Sequence, residues 1–114
     1  MEQYLNFMGK QVTVVMDRPL GSTHPRYNEL YYPINYGYIP NTLAEDHREI
    51  DAYIVGEFVP LSVYQGIVIA VIVRKNDVEN KLVVAKKGNI YSKEQIEALV
   101  EFSERFYDHY VIMG

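Results

Sequence analysis

The sequence predicts a mainly β fold, a small five-stranded barrel with one C-terminal α-helix. Five short runs rich in β-branched and aromatic residues are separated by Gly, Pro and Asn turns, and one amphipathic helical segment follows them. The strand runs do not alternate with helical segments, which disfavours a doubly wound parallel sheet. At 114 residues, the chain is long enough for one domain, which we expect to span residues 1–114.

The first half of the chain contains two extended segments. Residues 1–9 fit either a short helical turn or an extended arm. The run QVTVVM at residues 11–16 is β-branched and predicts a strand, and Pro19, which has no backbone donor, ends its pairing. A polar loop at residues 22–28 follows. Residues 29–39 are predicted to be extended because proline and glycine interrupt any helix there.

The second half supplies the central strands. Residues 52–56 predict a strand directly behind an acidic turn. The run GIVIAVIVR at residues 66–74 is apolar on both faces and predicts a central, buried strand. A hairpin-like connection at residues 75–80 leads to a returning strand at residues 81–85.

A helix is predicted from Ser92 to about residue 109. Ser92 is a favourable N-cap, and Gln95 stands at the capping-box spacing. An apolar stripe with helical period runs to Tyr110. Four glutamates are expected largely on the other, solvent-facing side: Glu94, Glu97, Glu101 and Glu104. The apolar residues 111–113 are either a last strand or an oligomer contact, and we expect a homo-oligomer.

The charge and the composition of the chain restrict the classes of molecule that it can bind. The formal net charge is -4 and no basic block is present, which argues against nucleic acid but not against a small phosphate ligand. There are no cysteines, so disulfides and thiolate zinc sites are excluded. The N-terminus does not resemble a signal peptide, and the longest apolar run, residues 67–73, is far shorter than the ~20 residues of a membrane helix. We therefore expect a cytoplasmic protein with no membrane partner.

Residues 31–51, YYPINYGYIPNTLAEDHREID, organise the candidate site. Aromatic and turn residues fill the first half of this segment, and acids fill the second half. Asp46 and Asp51 lie on either side of a turn, with Glu49 between them, and hard cations such as Mg²⁺ prefer carboxylate oxygens. The two aspartates could converge on one ion. A solvated acidic turn is the alternative.

A second charged cluster lies on the hairpin before the last central strand. Asp77 and Glu79 could add metal ligands, and Lys81 could hold a phosphate oxygen. A polar hairpin with no ligand is the alternative.

Phenols and guanidinium groups could complete a phosphate site. Tyr32, Tyr36 and Tyr38 present phenol donors from one short segment, although tyrosine also packs as an ordinary amphipathic residue. The candidate phosphate cations are Arg26, Arg48, Lys86 and Lys87. The arginines are the better candidates, because a guanidinium can bind a phosphate through two hydrogen bonds.

The run YYPINYGYIPNTLAEDHREIDAYIVG resembles the soluble, metal-dependent (family I) inorganic pyrophosphatases. The pattern of that family joins Y-P-x-N-Y-G-[FY]-I-P to T-L, a short spacer, D-G-D-P-x-D and a hydrophobic strand. Residues 32–33, 35–40 and 42–43 match it, and Asp46 and Asp51 match its first and third acids. Weaker similarity extends over residues 12–110.

The resemblance implies a five-stranded, OB-like barrel with a flanking helix that hydrolyses pyrophosphate with several Mg²⁺ (or Mn²⁺) ions. It also implies roles for individual residues. Asp17 stands where the family has a glutamate, and NDVENKLV is similar to a shortened metal-binding hairpin. The implied metal ligands are Asp17, Asp46, Asp51, Asp77 and Glu79. The implied substrate-binding residues are Arg26, Tyr32, Tyr36 and Lys81.

The sequence departs from the family pattern at its middle acid, which falls on Arg48. A cation there repels a metal, although Glu49 is adjacent and Arg48 could contact a phosphate directly. The first hypothesis is therefore Mg²⁺-dependent hydrolysis of pyrophosphate or a related phosphoanhydride, with Asp46, Arg48, Glu49 and Asp51 as catalytic residues. The alternative is a catalytically impaired phosphate-binding, nucleotide-binding or protein-interaction module on the same fold. A third hypothesis, an oligonucleotide-binding barrel, is opposed by the acidic net charge.

Overall fold

The computed structural model describes residues 1–76 and 79–114. Within these ranges the chain forms two helices and six strands. In chain order they are α1 (Glu2–Leu5), β1 (Gln11–Arg18), β2 (Asn35–Ile39), β3 (Ile50–Ile54), β4 (Val63–Arg74), β5 (Lys81–Ala85), α2 (Lys93–Glu104) and β6 (His109–Met113). No helix in these ranges is long and apolar enough to cross a membrane.

Five of the strands close into a barrel. They are hydrogen-bonded in the order β1-β2-β3-β5-β4, and β4 pairs again with β1 to close the ring. Only the β3–β5 pair is parallel among the described strand pairs. The predicted mainly β, five-stranded barrel with a C-terminal helix is confirmed. One strand is additional, because β6 pairs along the second half of β4.

The core occupies both faces of the central strands. One apolar cluster contains Val14, Ile54 and Leu82, and strand alternation places it inside the barrel. A second cluster packs the opposite face of the sheet against α2, including Ile96 and Val100. All five residues of β5 are buried, as expected for a strand covered on both sides.

Helix α2 begins as the sequence predicts but ends earlier. The Ser92 side chain accepts a hydrogen bond from the Gln95 backbone N–H (3.1 Å), and the Gln95 side chain accepts one from the Ser92 N–H (2.8 Å). The helix ends at Glu104 rather than near residue 109. The following segment instead forms β6, because pairing with the free edge of β4 satisfies its backbone groups.

Candidate active site

A cavity of about 1310 Å³ opens beside the barrel. Its walls come from β1, β2, β3, the end of β4, β5, the β1–β2 loop and the C-terminal end of α2. Every one of these segments contributes a charged or aromatic side chain. The closure of the barrel therefore brings together groups that are far apart in sequence.

The floor of the cavity is organised by Lys81, which is only 2% exposed. Its ammonium donates to the Tyr36 phenol oxygen (2.7 Å), to Asp51 Oδ2 (2.9 Å) and to the Glu79 carboxylate. The Tyr36 hydroxyl also donates to Asp51 Oδ2 (2.6 Å). The strand register places the Asp51 and Lys81 side chains next to each other, because the two residues are direct partners in the parallel β3–β5 pair. We call these four residues the Lys81 cluster.

The protonation preferences inside the Lys81 cluster differ. Burial by itself raises the pKa of Asp51, but the Lys81 charge and hydrogen bonds with Glu79 and Tyr36 lower it overall. Burial raises the pKa of Glu79, and contact with Asp51 raises it further despite the nearby ammonium. Burial also raises the pKa of the Tyr36 phenol well above its ordinary value. Asp51 therefore holds its negative charge more firmly than Glu79 does, and Tyr36 stays a hydrogen-bond donor.

A second polar network borders the cavity and was not predicted. Arg74 donates through Nε to Glu104 Oε1 (3.1 Å) and through Nη2 to Glu104 Oε2 (2.7 Å). The Tyr53 hydroxyl donates to the same Oε2 (2.7 Å). The Arg74 guanidinium lies 3.7 Å from the ring centre of Tyr107, and its Nη1 is 3.9 Å from Glu79 Oε2. The second network therefore contacts the Lys81 cluster.

The prediction that Glu104 faces solvent is wrong, because this side chain is fully buried. Glu104 is the last residue of α2 and lies against the end of β4, where its carboxylate neutralises Arg74. The sequence did contain a signal. Arg74 ends a long apolar strand, and a guanidinium buried there requires an anion.

The cavity wall contains most of the residues predicted for the site. They are Asp17, Arg26, Tyr32, Tyr36, Arg48, Glu49, Asp51, Glu79 and Lys81. Asp46 lies in the turn before β3, where its Oδ1 accepts the Arg48 backbone N–H (3.1 Å), and it is not part of the described cavity wall. Asp77 lies outside the described residues. The catalytic and ligand roles of all these residues stay predictions.

Asp17 stands at the edge of the Lys81 cluster. Burial is the main cause that raises the pKa of its carboxyl, and the Asp51 charge raises it further, whereas Arg18 and Lys81 act in the opposite direction. Arg18 also lines the cavity and was not predicted as a site residue. Its position directly after Asp17 on β1 places a further cation beside the acids.

Comparison with known proteins identifies the family. A family model described as "Inorganic pyrophosphatase" matches residues 9–112. The chain belongs to the inorganic pyrophosphatase family. An inorganic pyrophosphatase of Nanoarchaeum equitans is 35% identical over 85 aligned residues, covering 68% of this chain and 52% of that protein. One from Picrophilus torridus is 31% identical over 97 residues, covering 74% and 53%. The chain thus spans about half the length of these curated relatives.

The fold agrees with that of a solved member of the family. The crystal structure of the inorganic pyrophosphatase from Ehrlichia chaffeensis superimposes with a TM-score of 0.71 at 17% identity, covering 93% of this chain and 87% of that one. At this identity the likeness shows the fold alone. It agrees with the predicted OB-like barrel and its flanking helix.

Two carboxylates of the cavity are donors of the kind that a hard divalent ion uses. Asp51 and Glu79 are close enough to share the Lys81 ammonium, and Mg²⁺ typically uses one or two carboxylates together with substrate phosphates. In residues 1–76 and 79–114, no three His, Cys, Asp or Glu side chains are grouped so that they could hold a metal ion. A divalent ion held by Asp51 and Glu79 would need its remaining ligands from phosphate or water.

Proposed function

We propose that the chain hydrolyses inorganic pyrophosphate, or a related phosphoanhydride, at this cavity with the help of Mg²⁺ or Mn²⁺. The observation that carries the proposal is the Lys81 cluster, in which a buried ammonium, an ionised carboxylate and an oriented phenol face one cavity. Membership of the pyrophosphatase family supports the same reaction.

The side chains of the cavity have different roles in such a reaction. Arg26 binds phosphate oxygens from the cavity wall, and Tyr32 adds a phenol donor from the loop before β2. Lys81 and Tyr36 bind phosphate by exchanging hydrogen bonds that they otherwise make within the Lys81 cluster. Asp51 and Glu49 are the carboxylates that can orient a water and accept its proton. Hydrolysis forms a bond from that water oxygen to one phosphorus and breaks the bridging P–O bond.

The metal ligands proposed for this chain are Asp51 and Glu79, and phosphate or water would complete the coordination. Asp17, Asp46 and Asp77 stay candidates that the family resemblance implies. The chemistry that a divalent ion supplies when bound is neutralisation of phosphate charge and a lower pKa for a bound water. The lowered pKa of Asp51 supports its part of this assignment, because an ionised carboxylate is the form that binds a cation. The raised pKa of Glu79 means that a bound ion would also have to displace a proton there.

Substitution of Asp51 tests the proposal. Asp51→Asn keeps the size of the side chain and an acceptor for Tyr36 but removes the negative charge. We expect Mg²⁺-dependent phosphate release from pyrophosphate to fall by at least about a hundredfold. Asp108→Asn is the matched control, because Asp108 is exposed and pairs with Lys75 outside the cavity wall. Equal turnover in the two variants, with both folded by circular dichroism, would remove Asp51 from the mechanism.

A second candidate function is a phosphate-binding or nucleotide-binding module with impaired catalysis. The observation that favours it is Arg48, which lines the cavity at the position where the resembled pattern has an acid. We expect the module to bind pyrophosphate in calorimetry without releasing phosphate in Mg²⁺ or Mn²⁺. In that case Arg48→Asp should increase phosphate release. A wild-type protein that turns over pyrophosphate faster than Arg48→Asp would exclude the impaired site. The homo-oligomer and the cytoplasmic location stay predictions.

A further inference from the structure

The outer part of the cavity is formed by aromatic side chains that are strongly exposed. Tyr27, Tyr31 and Phe106 line the cavity and are 56%, 61% and 68% exposed, and Tyr107 lies beside them at 41%. We call these four residues the aromatic rim. Large aromatic side chains that stay exposed on the wall of one cavity are typical of a ligand-binding surface.

Two separate parts of the chain supply the aromatic rim and hold it in place. Tyr27 and Tyr31 lie on the β1–β2 loop, which folds back on itself through an antiparallel bridge between Thr23 and Tyr31. Phe106 and Tyr107 follow α2. The Tyr107 ring lies on the Arg74 guanidinium at 3.7 Å, so this side of the rim is anchored to the buried network.

Pyrophosphate alone leaves the aromatic rim unused. It is a small anion with no apolar surface. Its charge would be met by Lys81, by the arginines of the cavity wall and by a divalent ion, none of which needs an aromatic neighbour. The cavity of about 1310 Å³ is larger than the roughly 300–1,000 Å³ that holds a drug-sized ligand. A phosphate-binding floor below an aromatic rim therefore fits a ligand with a charged end and a planar, aromatic end.

We propose that the aromatic rim binds the base of a nucleoside diphosphate or triphosphate whose phosphoanhydride lies at the Lys81 cluster. This assignment rests on the proposed function, since it uses the same floor for the phosphates. Every base has a π-face, and stacking on an aromatic side chain strengthens binding by roughly 5- to 160-fold per base. The proposed substrate class is thus a nucleotide phosphoanhydride, with pyrophosphate as its minimal version.

Two non-hydrolysable ligands separate the floor from the rim. Methylenediphosphonate presents only the phosphate end, and α,β-methylene adenosine diphosphate presents the same end with an adenosine attached. We expect isothermal titration calorimetry in Mg²⁺ to show at least about tenfold tighter binding of the nucleotide analogue. Phe106→Ala and Tyr31→Ala should remove most of that advantage without weakening methylenediphosphonate. Phe58→Ala is the matched control, because Phe58 is 87% exposed and lies off the described cavity wall.

The binding results for the two ligands separate a failure of the aromatic rim assignment from a failure of the phosphate-binding floor. If methylenediphosphonate binds and the adenosine adds nothing, the aromatic rim is not a base site, and the proposed phosphoanhydride floor stands. An advantage that survives both Phe106→Ala and Tyr31→Ala also overturns the rim assignment. Phe106→Ala could instead lower the sedimentation coefficient of the protein while the nucleotide analogue still binds more tightly than methylenediphosphonate. In that case the aromatic rim is a contact between chains. If neither ligand binds, the floor and the rim assignments both fail.

Discussion

The Arg74–Glu104 ion pair allows a direct test of how the barrel is held against its helix. Glu104→Gln removes the negative charge while keeping nearly the same shape. The carboxylate accepts three hydrogen bonds, two from Arg74 and one from Tyr53, and it is fully buried. The substitution therefore changes electrostatics and hydrogen bonding with little change in packing.

The magnitude follows from those contacts. In either orientation of the new side chain, its amide nitrogen replaces an oxygen that accepts from Arg74, so at least one charge-assisted hydrogen bond is lost, at roughly 1.5–3 kcal/mol. The Arg74 guanidinium then stays buried with its main counter-charge removed, and breaking such a pair typically costs about 3–5 kcal/mol. We expect the free energy of unfolding to fall by about 3 kcal/mol, a large share of the roughly 5–15 kcal/mol of a small domain.

Urea unfolding followed by circular dichroism at pH 7 measures this loss. Glu101→Gln is the matched control, because Glu101 also pairs with an arginine at 2.6 Å, but both side chains of that pair are more than half exposed. We expect the control to lose about 0.3–0.5 kcal/mol. If the free energy of unfolding falls by less than about 1 kcal/mol in Glu104→Gln, or by the same amount as in the control, then burial does not make the Arg74–Glu104 pair more important for stability than an exposed pair.

Two further perturbations test the electrostatics and the strand packing. Burial alone would lower the pKa of His109, but the Tyr107 carbonyl and the Glu97 carboxylate raise it overall. The His109–Glu97 contact therefore stabilises the fold fully below pH 6.5, the ordinary pKa of histidine, and this stabilisation is lost as the pH rises through the raised pKa of the folded state. Glu97→Gln should lower the His109 pKa in an NMR titration. Gly37→Ala would drive a Cβ atom into the Val15 carbonyl on the neighbouring strand, and we expect urea unfolding to show a loss of about 3 kcal/mol.

Each of these two predictions has its own control. Gly21→Ala is matched to Gly37→Ala, because Gly21 has φ +88° and open space around it, so that only backbone strain of about 1 kcal/mol is added. Equal losses in the two glycine variants would show that β1 and β2 separate easily. An unchanged His109 titration in Glu97→Gln would show that the 2.7 Å contact is not formed in solution.

Much of the site could be predicted because its residues follow short local patterns. Tyr36 and Asp51 stand in the run that resembles the pyrophosphatase motif, and Lys81 begins a strand that is plain from its composition. Their meeting depends on closure of the barrel, which sets Asp51 beside Lys81 across the parallel β3–β5 pair. The aromatic rim was not predicted as a unit, since it joins the β1–β2 loop to the segment after α2.

The amino-acid sequence was sufficient to predict the five barrel strands, the turns between them and the start of α2. These features depend on neighbouring residues: β-branched runs pair, Pro19 ends a strand, and Ser92 caps a helix through Gln95. The end of α2 depends on tertiary contacts, because the helical pattern continues toward Tyr110 while the open edge of β4 pairs with that segment instead. The tertiary structure also decided the burial of Glu104, whose environment is set by an arginine thirty residues away. Local preference acts over a few residues, whereas burial and charge pairing depend on which distant groups the closed barrel brings into contact.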